Sequence, residues 1–287
     1  MDSVHRIRSN RAMAREVARN VILHLLIALA AALVGFPFFY MIGSSLKTLS
    51  EVYSVSLSLW PRVPQWHNYV VAWTSVPFAR FTLNSIIFAT AITVAKFTMG
   101  LTAGFAFGRL HFPKKEWLFF FILITFMMPS QITLVPRFML LRDLRWINTY
   151  QGMIIPEFSS AFVTFLLHQH FKSLPDELFD AAKIDGAGYV RQMLQVAVPV
   201  SKPIISTLLL LTFVAAWNEY LWPMVVTSTL EMRTLPIGLQ FLKTLNEVPQ
   251  WHIVCAGAVI VVAPLMALYV ATQKQFIEGA IQGALKG

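Results

Sequence analysis

Few side chains in this sequence could do chemistry, and those that could stand far apart. Lys96, Glu157 and Glu219 are ionisable groups set inside long apolar runs, where a charge is costly and usually faces protein or a water-filled path. Gly100, Gly104 and Gly108 follow Lys96 at four-residue steps. On a helix they share its side, and such a stripe of small residues packs against another helix. Lys96 is therefore expected to face protein, with Glu219 as its candidate ion-pair partner; a cavity-lining role stays open. Pro129, Ser130 and Gln131 interrupt a further apolar run, and the carbonyls freed at such a break need partners or water, as they do along transporter pathways. Trp217 and Asn218 could offer a sugar an aromatic platform and an amide. Gln131, Trp217, Asn218 and Glu219 are thus the candidates for lining a path.

Other chemistries find no support. No nucleophile–base constellation stands out. His168 and His170 carry no metal-ligand pattern and fit an interfacial position, and the single cysteine, Cys255, excludes an internal disulfide framework and a cysteine-based zinc site. No G-x4-G-K-[ST] loop occurs, so the chain cannot cradle ATP phosphates itself. An ion-coupled transporter would need carboxylates at mid-membrane and usually an internal repeat across ten or more spans. A membrane enzyme would need clustered acids or His–metal spacing at one interface.

The elements that position these residues follow from composition. Of 287 residues 56% are apolar and only 13% charged, against about a quarter charged in an ordinary soluble domain. So few charges cannot cover a soluble surface, and so apolar a chain must be buried, here in lipid. Uncharged or nearly uncharged runs long enough to cross a bilayer as helices cover 20–46, 81–107, 117–136, 148–171, 203–228 and 253–273. The first continues through Phe36-Pro37-Phe38-Phe39-Tyr40, too long for a signal peptide core, and reads as an uncleaved anchor. The net charge of +9 has a topological rather than a nucleic-acid reading. With the N-terminus inside, the inner segments hold fourteen basic residues: Arg6, Arg8, Arg11, Arg15, Arg19, Arg109, Lys114, Lys115, Lys172, Lys183, Arg191, Lys202, Lys274 and Lys286. The outer ones hold eight: Lys47, Arg62, Arg80, Arg137, Arg142, Arg145, Arg233 and Lys243. Both termini are predicted to be cytoplasmic. The expectation is an all-α integral membrane protein of six transmembrane helices, with a basic segment at 1–20 and a single transmembrane domain at 21–287.

The inner connection 173–199 looks organised. Ser173 with Asp176 makes a capping-box pattern, Pro175 suits a first turn, and helix formers run from Glu177 to Ile184. Gly186 and Gly188 break that run, a second helical stretch is predicted from Tyr189 to Val198, and Pro199 and Pro203 punctuate the entry to the next span. Phe179, Ala182, Ala187 and Val190 would form an apolar side outside the membrane. Such a helix could rest on headgroups or dock a soluble partner, whose surface the small residues Ala181, Ala182 and Gly186 would let approach. Asp176, Glu177, Asp180 and Asp185 are acidic, which disfavours an anionic leaflet and favours docking.

The run Asp180-Ala181-Ala182-x3-Gly186-x9-Val196-x-Val198-Pro199 resembles the EAA signature of ABC importer permeases, E-A-A-x3-G-x9-I-x-L-P, with Asp180, Val196 and Val198 as conservative departures. Asn84-Ser85, Ala106-Phe107-Gly108-Arg109-Leu110, Ile147-Asn148-Thr149-Tyr150, Trp217-Asn218-Glu219-Tyr220 and the closing Gly283-Ala284-Leu285-Lys286-Gly287 extend the likeness over nearly the whole chain. Together they resemble the carbohydrate-uptake branch, in particular the smaller maltose-importer-type permease.

The resemblance implies a prokaryotic inner-membrane subunit that forms half of a sugar pathway. Its partners would be a second homologous permease, two copies of a cytoplasmic ATPase and an extracytoplasmic solute-binding protein. ATP and Mg would sit on the ATPases, and no nucleic acid would be involved. Asp180, Ala181, Ala182, Asp185, Gly186 and Pro199 would couple the chain to an ATPase. A glycerol-phosphate-type solute would suit similar machinery. The polar loops 47–80 and 229–252 carry Trp60, Trp66, Trp73 and Trp251; the latter loop, around Thr234 to Leu245, would reach into the binding protein by resemblance, or be an ordinary aromatic-belted turn.

Overall fold

The computed structural model describes residues 2–54 and 58–284, of which 2–15, Ser130 and 274–284 are described by backbone alone. Residues 285–287 of the closing block and the side chains of Arg6, Arg8, Arg11 and Arg15 lie outside that description. Every regular element among the described residues is helical. In chain order they are α1 (Asp2–Ser45), α2 (Leu49–Val52), α3 (His67–Ser75), α4 (Phe78–Arg109), α5 (Lys115–Met127), a 3-10 turn (Ser130–Thr133), α6 (Leu134–Asp143) and α7 (Tyr150–Ile154). A second 3-10 turn (Ile155–Glu157), α8 (Ala161–Lys172), α9 (Asp176–Ile184), α10 (Tyr189–Gln192), a π turn (Met193–Ala197), α11 (Val198–Val200) and α12 (Lys202–Trp217) follow. The chain ends with α13 (Leu221–Val226), a 3-10 turn (Leu230–Met232), α14 (Leu235–Thr244) and α15 (Trp251–Ala284).

The residues group into two compact units, 1–72 with 246–259 and 73–245 with 260–287. In the first, α1 presents its apolar side chains outward from Val17 to Phe39. Its end is tied down by Asn68, whose amide donates to the carbonyls of Ser45 and Lys47, both at 2.8 Å, and by a Ser45 hydroxyl contact to the Tyr69 hydroxyl at 2.7 Å. Lys47 is 2% exposed, donates to the Ser58 carbonyl and lies over the Tyr40 ring, so it is a structural tie rather than a free loop cation.

The second unit is organised by α4 and α8. Gly100, Gly104 and Gly108 let the two backbones come close. A β-carbon added at those positions would stand 2.6 Å from Val163 Cγ1, 2.8 Å from Leu167 Cβ and 3.1 Å from Phe171 Cβ. Leu101, Phe105, Val163, Leu167, Phe171, Ile205 and Leu208 complete a core in which Phe105 meets Phe171 edge-on at 6.0 Å. The glycine stripe therefore does what its spacing suggests.

Among the described residues three helices are long and apolar enough to cross a membrane: α1 from Glu16, α4, and α15 as far as Gln273. Two bent pairs bring the number to as many as five: α5 with the segment Gln131–Asp143, at 88°, and Tyr189–Val200 with α12, at 87°. The runs at 117–136, 148–171 and 203–228 are therefore not the straight helices their hydropathy suggests. Pro129 ends the first, and the chain leaves it almost perpendicular. The second breaks at Pro156 and restarts only where Ser160 caps α8, accepting from the Val163 N–H at 3.3 Å. That leaves α8 with 12 residues, roughly 18 Å at about 1.5 Å per residue, which is short of a ~30 Å hydrocarbon core. The third stops at Trp217 and restarts at Leu221.

Gly104→Ala should lower the thermal stability of the detergent-solubilised protein. Overpacking against Leu167 Cβ and the His168 backbone costs about 1–3 kcal/mol, more than the ~1 kcal/mol of helix propensity gained. Gly188→Ala, where a β-carbon meets nothing within 4 Å, is the matched control. Equal melting temperatures for the two variants would show that α8 yields freely.

Candidate coupling segment and membrane-depth charge cluster

α9 is rooted in the core by one side. Phe179 and Ala182 are buried, and Phe179 joins Phe105 at 6.2 Å between ring centroids. The Arg109 guanidinium, at the foot of α4, lies 3.9 Å from the Phe179 ring centroid. It donates to Asp176 at 2.6 Å and to the Leu174 and Phe171 carbonyls at 3.2 and 3.5 Å. The capping box expected from Ser173 is not made: Ser173 closes α8, its hydroxyl donating to the His170 carbonyl at 2.8 Å, and Pro175 occupies the N-cap of α9. Asp176 and Glu177 still lie in the first turn, where the helix dipole favours acids.

The other end of α9 is a Schellman closure. Gly186 takes φ +75, its N–H reaching the Lys183 carbonyl at 2.9 Å, while the Ala187 N–H reaches that of Ala182 at 2.8 Å. Only glycine adopts that conformation cheaply. Gln192 is buried and its amide donates to the Ala187 carbonyl at 2.7 Å, fixing the turn into α10. Ala181, Asp185, Gly186, Gly188 and Pro199 are exposed, as are Ile184 (87%), Val190 (66%) and Tyr189 (63%). Asp180 is also exposed and pairs with Lys183 at 2.8 Å. The expected apolar side is thus divided: Phe179 and Ala182 turn inward, Ala187 is half-buried, and the outward patch consists of Ile184, Tyr189 and Val190. A cavity of about 550 Å³ beside the helix is lined by Arg109, His111, Lys115, Lys172, Asp176 and Lys183, among others.

At the other site, Lys96 does not pair with Glu219. Its ammonium donates to Glu157 Oε2 at 3.1 Å, while Arg137 donates to Glu157 Oε1 at 2.5 Å and to the Pro156 carbonyl at 3.3 Å. The Arg137 guanidinium also lies 4.1 Å from the centroid of the Trp222 ring. Trp222 in turn donates through its indole N–H to the Met153 carbonyl at 2.9 Å and through its backbone N–H to Glu219 Oε1 at 3.1 Å. Glu219 therefore caps α13 and joins the cluster only through Trp222. Arg137 belongs to this cluster as well, not to the loop cations that fix orientation.

The remaining path candidates scatter. Gln131 and Asn218 are exposed, and Asn218 donates back to Val214 at 2.9 Å. Trp217 is 2% exposed with its N–H on the Val261 carbonyl at 3.2 Å, which removes it as a sugar platform in this conformation. His168 is buried against the Phe119 ring, 4.0 Å between centroids.

A third network holds the 227–235 loop. Asn84 donates to the Glu231 and Arg233 carbonyls at 2.8 and 2.7 Å and accepts from the Tyr150 hydroxyl at 2.6 Å. Ser85 accepts from the Leu235 N–H at 2.8 Å, and Asn148 accepts from the Ser228 and Thr229 N–H groups. The Arg233 guanidinium donates to the Met224 carbonyl at 2.9 Å, and its partial burial depresses its pKa from the usual value. Leu235, Ile237 and Leu242 are buried. α14 therefore lies against its own chain instead of projecting as an extended probe, and the spacing of Leu235, Gly238 and Leu242 behind a Thr234 start is the sequence signal that reveals it.

The family described as "Binding-protein-dependent transport system inner membrane component" matches residues 97–278, a stretch that holds the glycine stripe, Arg137, Glu157 and the whole of 173–199. The chain belongs to that family. It is accordingly a multi-pass inner-membrane permease component of a transport system and not an enzyme. It is 31% identical over 269 residues to the sn-glycerol-3-phosphate transport system permease protein UgpE of Yersinia enterocolitica, covering 91% of this chain and 96% of the relative. It is 33% identical to the UgpE of Brucella abortus over 271 residues, covering 92% and 96%. A solved bacterial ABC transporter involved in the import of the acidic polysaccharide alginate shares the fold, with TM-score 0.79 and 22% identity over 90% of this chain and 96% of that one.

Arg109→Met is expected to cost about 1–3 kcal/mol through the lost carbonyl contacts and the lost stacking on Phe179, and to speed proteolysis between 176 and 192. Asp176→Asn should change little, because Asp176 is 84% exposed and exposed ion pairs contribute about 0–1 kcal/mol. Limited proteolysis and thermal melting of both variants check this; equal sensitivity would mean that the ion pair, not the stacked arginine, holds the segment.

Proposed function

We propose that the chain is one of two related permease subunits of an ATP-driven importer. In this reading it forms half of the pathway for a small polyhydroxylated solute and is driven through residues 173–199 by a cytoplasmic ATPase. The observation that carries this is the rooted, Schellman-closed helix α9, whose inner side is fixed to α4 and α8 and whose outward patch at Ile184, Tyr189 and Val190 has no cover among the described residues. A partner closing on that patch would move α4, α8 and α12 as one body, and nucleotide could bias an inward-open to outward-open equilibrium through contacts that differ between the two states.

The finer parts of the reading follow. Residues 21–287 form one permease domain behind the basic segment 1–20. Six spans with both termini cytoplasmic are obtained when α7 and α8 count as one span broken at Glu157 and α12, without the 189–200 arm that belongs to the coupling segment, counts as another beside α1, α4, α15 and the bent pair begun by α5. Two ATPase copies, carrying ATP and Mg, and an extracytoplasmic solute-binding protein complete the assembly; a relative of the same fold is recorded in complex with an alginate-pentasaccharide-bound periplasmic protein. Asp180, Ala181, Asp185, Gly186 and Pro199 supply the docking surface, with Ala182 as part of its root. The solute is a sugar or, as the relatives named for sn-glycerol 3-phosphate favour, a phosphorylated polyol.

Ile184→Asp and Val190→Asp alter side chains that are 87% and 66% exposed, so insertion and melting should be unchanged. Co-purification of the ATPase subunit and ATP-dependent uptake by proteoliposomes of the whole complex should both fall. ATPase retained at wild-type level by the double variant, or by a chain lacking 176–186, would refute the coupling role.

A further inference from the structure

Two cations and one carboxylate meet beside the middle of α4 and do not cancel within the trio; the Glu219 carboxylate stands outside it, accepting from the Trp222 N–H at 3.1 Å. Lys96, Arg137 and Glu157 sum to +1. Glu157 has committed one carboxylate oxygen to each cation, Oε2 to Lys96 and Oε1 to Arg137. Donors remain over. An ammonium carries three and a guanidinium five. Lys96 uses one, on Glu157, and Arg137 uses only its Nη2, on Glu157 and Pro156. The other N–H groups of both side chains have no acceptor among the described residues. The three side chains are not sealed either, retaining 21%, 24% and 20% exposure for Lys96, Arg137 and Glu157. A spare positive charge with unmatched donors is costly in a low-dielectric setting. A planar fork beside a point charge is the arrangement that binds a phosphate or carboxylate.

The backbone around the cluster is open in the same places. Glu157 sits at the break between α7 and α8, Arg137 follows the break at 128–133, and Trp222, over which Arg137 stacks, follows the break at 218–220. We propose that Lys96, Arg137 and Glu157 form an oxyanion half-site in the translocation path, selecting a solute that bears a phosphate or carboxylate over its neutral counterpart. The inference rests on the permease reading above and adds to it the residues that would meet the anionic group of the solute. Glu157 acts as a moderating counter-ion: it holds the two cations together while leaving their surplus to the passing anion, so that the anion is held weakly enough to leave. Trp222 fixes the plane of the guanidinium.

The test uses the whole complex in nanodiscs and radiolabelled probes: sn-glycerol 3-phosphate against glycerol, and glucuronate against glucose. Wild type should bind each anion in preference to its neutral partner. Lys96→Met and Arg137→Gln should each weaken anion binding by about ten- to a hundredfold, the loss of one charge-assisted hydrogen bond, and leave the neutral probes alone. Glu157→Gln, which raises the cluster from +1 to +2, should hold the anions more tightly. Weaker anion binding by Glu157→Gln at unchanged melting temperature would mark the cluster as a structural staple and overturn the proposal, as would equal binding of anion and neutral probe or no binding of either anion. If Glu157→Gln does not purify as an intact complex, Arg137→Lys replaces it, keeping the charge but losing the fork; it should bind anions between wild type and Arg137→Gln, and binding no better than Arg137→Gln overturns the proposal. ATP-dependent uptake by the same complex reconstituted in proteoliposomes separates the two readings. Uptake restricted to neutral solutes leaves the permease standing and removes the half-site, whereas selective anion binding without ATP-coupled uptake does the reverse.

Discussion

The close approach of α4 to α8 is the constraint on which the rest of the second unit depends. Three glycines along one side of α4 allow it, and the same helix carries Lys96 above the contact and Arg109 below it. The two residues lie roughly 20 Å apart along the axis at about 1.5 Å per residue. Because α8 is held against that stretch by Val163, Leu167 and Phe171, α4 cannot slide independently, and interiors packed this tightly transmit displacement rather than absorb it. A movement imposed on Phe179 and Arg109 is thereby a movement of Lys96. One rigid bar joins α9 to the cluster of charges.

Much of this was legible in the sequence because it depended on period. The four-residue glycine spacing announces a helix contact, the long apolar runs announce lipid, and Gly186 after a run of helix formers announces a stop. What failed to show depended on where an apolar run breaks. Hydropathy sums residues and does not register that Pro156 with Ser159-Ser160 divides 148–171, so by hydropathy Glu157 lies within a single span and Glu219 remains the candidate partner for Lys96. The break turns Glu157 into the counter-ion of two elements distant in sequence, Lys96 and Arg137. Ser173 misleads for a related reason: a hydroxyl three residues before an acid satisfies the capping pattern, yet the same hydroxyl serves the end of the preceding helix when Pro175 already fixes the backbone.

The blocks at Asn84-Ser85 and Ile147-Asn148-Thr149-Tyr150 had a resemblance but no mechanism. Asn84, Ser85 and Asn148 of these blocks prove to satisfy the backbone of one loop, 227–235, whose carbonyls and N–H groups would otherwise lie unpaired beside the head of α4. Spacing in sequence cannot convey this, since donor and acceptor lie about 150 residues apart, as the Ser85–Leu235 bond does. Polar residues at membrane ends are here used less for contact with solvent than for terminating backbone.

The turn at Gly186 closes its helix by using the Ala182 and Lys183 carbonyls internally. On the proposed coupling, a protein settling over it would find those two carbonyls already paired and would cover Ile184 and Val190. Such a joint would adhere by area and shape and could let go without unravelling. A bearing loaded and released at every stroke would suit this build, because a helix end that traded its own hydrogen bonds for those of a visitor would fray whenever the visitor departed.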